Sequence, residues 1–241
     1  MMSNTIELPF FPQYEIDRIF DDNITVMWFE PKFSQSHYNV HNKTNGSNAC
    51  TLIVVLIAAH LDKKKLLIYE SEYSTNKDLI QFLAISMLQG NKIHEELKMR
   101  RLLKHLNLNV PEALKYTENQ TFNLVEWKSS IFMERLSKSL FENIKNTYME
   151  WMKLKNKPSN DLYVILIADS RTVLFLFQDK PQTVTLFDSH QHTAEKGAFI
   201  AICHRSKLGY LCHWFRDVIR ACYNSDPKLY ELSFLYFKHK A

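Results

Sequence analysis

The sequence predicts an α+β fold in which a helical part is followed by a mostly antiparallel sheet. Two observations predict it. From Asn76 to Trp151 apolar residues recur largely at three- and four-residue spacing, which is typical of amphipathic helices. After the break "PSN" at 158–160, the chain changes to short β-rich runs separated by turn residues. With no internal repeat and 241 residues, we predict a single domain over residues 1–241.

The first predicted elements are a strand, a polar loop and a buried helix. Residues Ile24–Phe29, "ITVMWF", read as a strand that ends before Pro31. Residues 34–48 are polar and rich in turn residues, and they lead directly into the apolar run Cys50–Leu61. The length and alanine content of that run favour a buried helix, with Ser47 or Asn48 as its N-cap.

The remaining elements divide into a helical stretch and a strand meander. Within the helical stretch, we predict a helical insertion at about 91–158. The next three runs, "DLYVILIAD", "RTVLFLFQD" and "TVTLFD", read as consecutive strands. A strand at Ala198–Cys203, an amphipathic helix around Leu208–Cys222 and the final strand "YELSFLYFK" complete the predicted order.

Composition argues against several classes of protein. The net charge is only +4 and the Lys and Arg residues are spread along the chain, so we expect no nucleic-acid partner. The longest apolar stretch is too short to span a bilayer, and no basic start precedes a long apolar run, so we expect no membrane span and no secretory signal. None of the four cysteines forms a CxxC pair, so we expect no structural zinc. Because we expect no export signal, we also expect a cytoplasmic setting with reduced cysteines.

Cys50 is the candidate nucleophile because it lies at the start of the most apolar predicted helix. Unpaired backbone N–H groups and the partial positive charge of a helix N-terminus stabilise a thiolate. Gly46, in the loop just before, would let the backbone approach a substrate closely. The alternative is a buried, unreactive cysteine that serves only as a small hydrophobic residue.

Asp188 and His190 are the candidate acid and base. They end the strand-like run "TLFDSHQH", and in a strand their side chains would point to the same face together with His192. A histidine beside a thiol can accept its proton, and a carboxylate beside the histidine fixes the ring tautomer. Two alternatives remain: a turn at the end of the strand, or a metal site formed by Asp188, His190 and His192.

Two segments resemble a known family of cysteine proteases. "NGSNACTLIVVLIA" and, after the helical region, "FDSHQHTAEKGAFIAI" resemble the deubiquitinases of herpesvirus large tegument proteins and their viral-tegument-like relatives. The resemblance implies a papain-like cysteine protease fold, with Cys50 as nucleophile, His190 as general base and acid, and Asp188 as its orienting group. The family also uses a glutamine upstream of the cysteine to bind the oxyanion. Gln35 is the candidate, and Asn48 offers the same amide chemistry.

By this resemblance we expect a monomeric cysteine deubiquitinase, a ubiquitin thioesterase, that cleaves isopeptide or peptide bonds at the ubiquitin C-terminus without a cofactor or metal. Its partners would be ubiquitin or polyubiquitin chains. Two alternatives stay open: a cysteine protease for another ubiquitin-like modifier, and a catalytically silent module that binds ubiquitin.

Overall fold

The computed structural model of the protein describes residues 7–39, 47–70 and 77–238. Its centre is one sheet of eight strands, in which every neighbouring pair is antiparallel. The strands are β1 (Tyr14–Ile19), β2 (Ile24–Phe29), β3 (Leu124–Phe132), β4 (Asp161–Ala168), β5 (Arg171–Gln178), β6 (Thr183–Asp188), β7 (Phe199–His204) and β8 (Tyr230–Phe237). Their order across the sheet is β1-β2-β7-β6-β5-β4-β8-β3. The prediction of helices combined with an antiparallel sheet is therefore confirmed.

Helices cover both faces of this sheet. They are α1 (Cys50–Lys64), α2 (Lys77–Met99), α3 (Val110–Tyr116), α4 (Glu118–Thr121), α5 (Leu136–Met152) and α6 (Leu208–Tyr223). Side chains of α1, α2 and α3 share one hydrophobic core with one face of the sheet, and those of α5 and α6 share a second core with the other face. None of the helices in the described ranges is long and apolar enough to cross a membrane.

The two cores explain why the central strands are apolar without alternation. Along β4, Tyr163 and Ile165 pack into the core that contains α1, while Leu162, Val164 and Leu166 pack into the core that contains α6. Successive side chains of a strand point to opposite faces, so a sheet covered on both sides needs apolar residues at every position.

The prediction that the chain from Asn76 to Trp151 is largely helical is wrong at one segment. Residues Leu124–Phe132 form β3, an edge strand that pairs with β8, and not part of a helix. Val125, Trp127 and Ile131 fit a pleated surface, and the pairing partner lies about 100 residues further along the chain, where local spacing cannot reveal it. The segment 91–158 thus contains a strand as well as helices, and the division into one domain with an insertion stays a prediction.

Gly197 marks a close approach between the end of β2 and the loop before β7. Its N–H donates to the Phe29 carbonyl at 2.8 Å, and Ala198 N–H donates to the Phe33 carbonyl at 2.9 Å. A Cβ at position 197 would lie 2.3 Å from the Glu30 carbonyl oxygen and 2.6 Å from that of Phe33. Both neighbours are backbone atoms, so only movement of the chain would relieve the contact.

We expect Gly197→Ala to lower the free energy of unfolding by about 3 kcal/mol, because overpacking against backbone cannot be relieved by a side-chain rotation. Urea denaturation of the purified variant measures it. Gly209→Ala is the control: the nearest atoms to its added Cβ are in the Phe141 ring at ordinary contact distance, 3.5 Å. Equal stability of the two variants would contradict the prediction.

Candidate active site

Cys50 is the first residue of α1 and is buried, with 2% of its surface exposed. The N-cap is Ala49, which makes no side-chain capping bond, so the prediction of Ser47 or Asn48 at this position is wrong. Tertiary partners hold the two polar side chains instead: Ser47 Oγ donates to Asn91 Oδ1 at 2.6 Å, and Asn48 Nδ2 donates to Asn107 Oδ1 at 2.8 Å. Gly46, predicted to assist close approach, lies outside the described residues.

Two side chains from the sheet half of the protein act on the Cys50 thiol. His190 acts through its charge and hydrogen bonding, and Thr172 Oγ1 on β5 lies 3.4 Å from Sγ. Burial raises the pKa of the Cys50 thiol, but the hydrogen bond and charge of His190, together with Thr172, bring that pKa below its ordinary value. This arrangement favours a thiolate–imidazolium pair between residues that are 140 positions apart in the sequence.

Asp188 orients the His190 ring. His190 Nδ1 lies 2.6 Å from Asp188 Oδ1, and the same oxygen accepts the His190 backbone N–H at 2.9 Å. A ring that donates through Nδ1 leaves Nε2 as the nitrogen that can exchange a proton with a thiol, as a general base requires. The His190 side chain is 13% exposed, whereas that of Asp188 is 2% exposed, so the imidazole is the part of this pair that meets solvent.

The prediction that Asp188, His190 and His192 share one strand face is wrong. Strand β6 ends at Asp188, which pairs with Phe199, and the residues that follow belong to a loop. The loop turns back because His192 N–H and Thr193 N–H both donate to the Lys196 carbonyl. It is this turn, and not strand alternation, that directs both histidines towards the Asp188 carboxylate.

The charges of this cluster depend on one another. Burial raises the pKa of Asp188, but the positive charges and hydrogen bonds of His190 and His192 bring that pKa well below its ordinary range. Burial lowers the pKa of His190, but the charge and hydrogen bond of Asp188, followed by those of Cys50, raise it to about 10. The carboxylate is therefore ionised and His190 is protonated at neutral pH.

His192, which the sequence placed near Asp188 only as a possible metal ligand, contacts the Asp188 carboxylate directly. Its Nε2 lies 3.3 Å from Asp188 Oδ2, and its side chain is fully buried. One nitrogen of each histidine thus faces one oxygen of the Asp188 carboxylate: His190 Nδ1 faces Oδ1 and His192 Nε2 faces Oδ2. Among the residues that the structure describes, no group of three or more His, Cys, Asp or Glu side chains has the arrangement to hold a metal ion.

Gln35 connects the two halves of the site. Its Nε2 donates to the Ser47 carbonyl at 3.0 Å, and its Oε1 accepts from Ser189 Oγ at 2.7 Å. Its backbone N–H also donates to the Ser189 carbonyl at 2.7 Å. Ser47 precedes Cys50, and Ser189 lies between Asp188 and His190, so the buried Gln35 amide ties the nucleophile segment to the acid–base segment.

Thr172 is a residue of the site that the sequence did not single out. Thr51 Oγ1 donates to the Leu108 carbonyl at 2.8 Å, so it can only accept from Thr172 Oγ1, 2.9 Å away. The Thr172 oxygen is then free to accept from the Cys50 thiol. When Cys50 is a thiolate, rotation of the same hydroxyl lets it donate to Sγ.

We expect Thr172→Val to raise the pH at which Cys50 becomes reactive by about one unit, because the thiolate loses a hydrogen-bond donor. The rate of Cys50 alkylation by iodoacetamide as a function of pH, followed by mass spectrometry, measures this midpoint. Thr172→Ser keeps the hydroxyl and serves as the control. An unchanged midpoint in Thr172→Val would show that the hydroxyl does not support the thiolate.

Two solved structures are similar to this chain at low sequence identity. The first is the ubiquitin-specific protease encoded by murine cytomegalovirus tegument protein M48, solved with a ubiquitin-based suicide substrate: it is 11% identical, the TM-score is 0.49, and the alignment covers 88% of this chain and 86% of that one. The second is the Pseudomonas avirulence protein AvrPphB, 10% identical with a TM-score of 0.44 over 78% of this chain and 92% of that one. No protein-family model and no curated sequence matches the chain.

Proposed function

We propose that the protein is a papain-like cysteine protease with Cys50 as nucleophile, His190 as general base and acid, and Asp188 as the orienting carboxylate. The observation that supports it best is the place of the His190 ring: its Nδ1 lies 2.6 Å from Asp188 Oδ1, and its charge and hydrogen bonding lower the pKa of the Cys50 thiol. An unreactive structural cysteine would not need a buried acid–histidine pair beside it, and desolvating that pair carries a cost in stability. Its setting, by the same proposal, is the cytoplasm.

The reaction divides into acylation and deacylation. The Cys50 thiolate attacks the carbonyl carbon of the scissile bond, a C–S bond forms, and the carbonyl electrons move onto its oxygen. As that oxygen reforms the carbonyl, the C–N bond breaks and protonated His190 gives its proton to the leaving amine. Neutral His190 then takes a proton from water, the hydroxide attacks the thioester, and the acid product leaves as the C–S bond breaks and Cys50 returns to the thiolate.

We assign the oxyanion donor to Gln35 in preference to Asn48. One hydrogen of the Gln35 amide is used by the Ser47 carbonyl, and the second, which has no partner among the described residues, would bind a substrate oxygen. Gln35 is buried and held at both ends of its amide, which gives the preorganisation that such a donor needs. The Asn48 amide is instead engaged with Asn107 in an exposed contact.

The proposed substrate is ubiquitin, bound through its C-terminal tail. This part rests on the resemblance of the segments around Cys50 and Asp188–His190 to viral-tegument-like deubiquitinases. The bond cleaved would join the C-terminal glycine of ubiquitin to a lysine amine or to a peptide nitrogen, and the acyl-enzyme would be a ubiquitin thioester. We propose that the enzyme acts as a monomer and needs no cofactor.

A ubiquitin suicide probe with a C-terminal propargyl group tests the substrate. We expect one covalent adduct with the intact protein, lost in Cys50→Ala and retained in Cys222→Ala, which removes another partly exposed thiol. Labelling only by a probe built on another modifier would favour a protease for that modifier. Ubiquitin binding by Cys50→Ala, without labelling of the intact protein, would favour a silent binding module and overturn the enzymatic proposal.

A further inference from the structure

We propose that His192 is a positioning residue of the active site, an imidazolium that holds the Asp188 carboxylate from the side opposite His190. The proposal rests on the Cys50–His190–Asp188 triad proposed above and adds a fourth member to it. Its starting point is geometric: a fully buried histidine places each of its ring nitrogens against an oxygen that can only accept a hydrogen bond.

The first nitrogen fixes one proton. His192 Nδ1 lies 2.8 Å from the Gly197 carbonyl oxygen. A carbonyl has no hydrogen to donate, so Nδ1 carries the proton of this bond. The acceptor itself is rigid, because Gly197 N–H donates to the Phe29 carbonyl and no larger residue fits at position 197.

The second nitrogen fixes the charge. His192 Nε2 lies 3.3 Å from Asp188 Oδ2, which is ion-pair distance, and it has no hydrogen-bond partner within the described part of the chain. A neutral ring protonated at Nδ1 would leave the lone pair of Nε2 beside an ionised carboxylate, which is repulsive in a buried site. A ring protonated at both nitrogens turns this contact into an attraction.

The surroundings keep the ring in place and leave no other counterion against it. The rings of Trp28 on β2, Phe199 on β7 and Tyr223 on α6 surround the imidazole, with centroids between 4.9 and 5.5 Å away. Five titratable or charged groups of the described residues lie around these three rings. They are Asp188, Cys222, Tyr223, Arg171 above the Tyr223 ring, and Lys196 above the Trp28 ring. Of the groups in this set, Asp188 alone is an ordinary anion at neutral pH.

Two consequences follow for the triad. With His190 on Oδ1 and His192 on Oδ2, the carboxylate cannot rotate about its Cβ–Cγ bond without losing a partner. The second cation also offsets the negative charge of Asp188, so the acid stays ionised when His190 loses its proton during the reaction. His192 touches neither the sulfur nor the substrate, and its effect reaches Cys50 through Asp188 and His190.

The pH profile of Cys50 alkylation tests this without any substrate. We expect the pH midpoint of Cys50 alkylation to rise by about one unit in His192→Phe and in His192→Gln, because both variants lose a positive charge that supports the thiolate. His192→Phe preserves a ring among the aromatic side chains, and His192→Gln preserves an N–H donor for the carboxylate. If both variants keep the wild-type midpoint and are merely less stable, the role is structural and the proposal is wrong.

Nitrogen-15 NMR of the histidine rings in the intact protein gives a second readout. We expect the ring signals that disappear in His192→Gln to show protons on both nitrogens in neutral buffer. A ring protonated only at Nδ1 would overturn the proposal even if His192→Phe fails to fold. If Cys50 of the wild type instead shows the alkylation pH profile of an ordinary thiol, the triad itself is wrong. The failure of this proposal and the failure of the triad can therefore be distinguished.

Discussion

Replacing His190 by glutamine is expected to slow the alkylation of Cys50 by about 100-fold at about pH 6, because the thiol reverts to the protonated form of a free cysteine. In the wild type, His190 supplies both a hydrogen bond and a positive charge to the sulfur, and these offset the burial that would otherwise raise the thiol pKa. Without the imidazolium, the hydrogen bonds of Thr172 and the N-terminus of α1 remain to support the thiolate. Iodoacetamide kinetics with quantification of the Cys50 peptide measure the effect.

His213→Gln is the matched control for this experiment. His213 lies on the exposed side of α6, so the substitution is the same while the sulfur keeps its partner. We expect His213→Gln to match the wild type across the whole pH range. A His190→Gln variant that still reacts quickly at about pH 6 would contradict the thiolate–imidazolium pair, since a free thiol is almost fully protonated there.

Replacing Asp188 by asparagine is expected to reduce turnover of a ubiquitin substrate by about 1,000-fold or more, because the neutral amide no longer fixes the tautomer of His190 or supports its positive charge. The change also affects stability. The Asp188 pKa is lower in the folded protein than in the unfolded chain, so its contribution is present above about pH 4 and is lost as the pH falls further.

The same variant therefore makes an independent prediction about acid denaturation. Urea unfolding at a series of pH values is expected to show a steeper loss of stability below about pH 4 in the wild type than in Asp188→Asn. Asp217→Asn on the exposed side of α6 is the control, and it is expected to follow the wild-type curve. Parallel curves for all three proteins would mean that Asp188 is not held ionised by its two histidines.

The fold class and the contact between Asp188 and His190 were accessible from sequence because their signals are local. A polar loop followed by the apolar run at Cys50 predicts a helix start, and the β-rich run before Asp188 predicts a strand end, whatever the rest of the chain does. The end of the β6 ladder was not accessible in this way. It depends on where β7 begins to pair, at Phe199, and that placed His190 and His192 in a loop.

The residues that the sequence did not reveal are all defined by distant partners. Thr172 lies in an apolar strand and differs from other strand threonines only because the start of α1 packs beside it. The pairing of β3 with β8 likewise joins two distant segments, and the spacing of apolar residues in one segment does not indicate that it pairs with the other. Gln35 could be named from the sequence as a candidate oxyanion donor. Its hydrogen bonds to Ser47 and Ser189, in contrast, are visible only in the folded chain.

Strand order also bears on how the protein is made. Because β2 pairs with β7, the hairpin of β1 and β2 has no partner on that side until β7 has left the ribosome. Thr172, Asp188 and His190 are synthesised well after Cys50, so a nascent chain first carries Cys50 as an ordinary thiol. The sequence separation between the proposed nucleophile and base thus delays reactivity until the segment that contains His190 has been made and has folded.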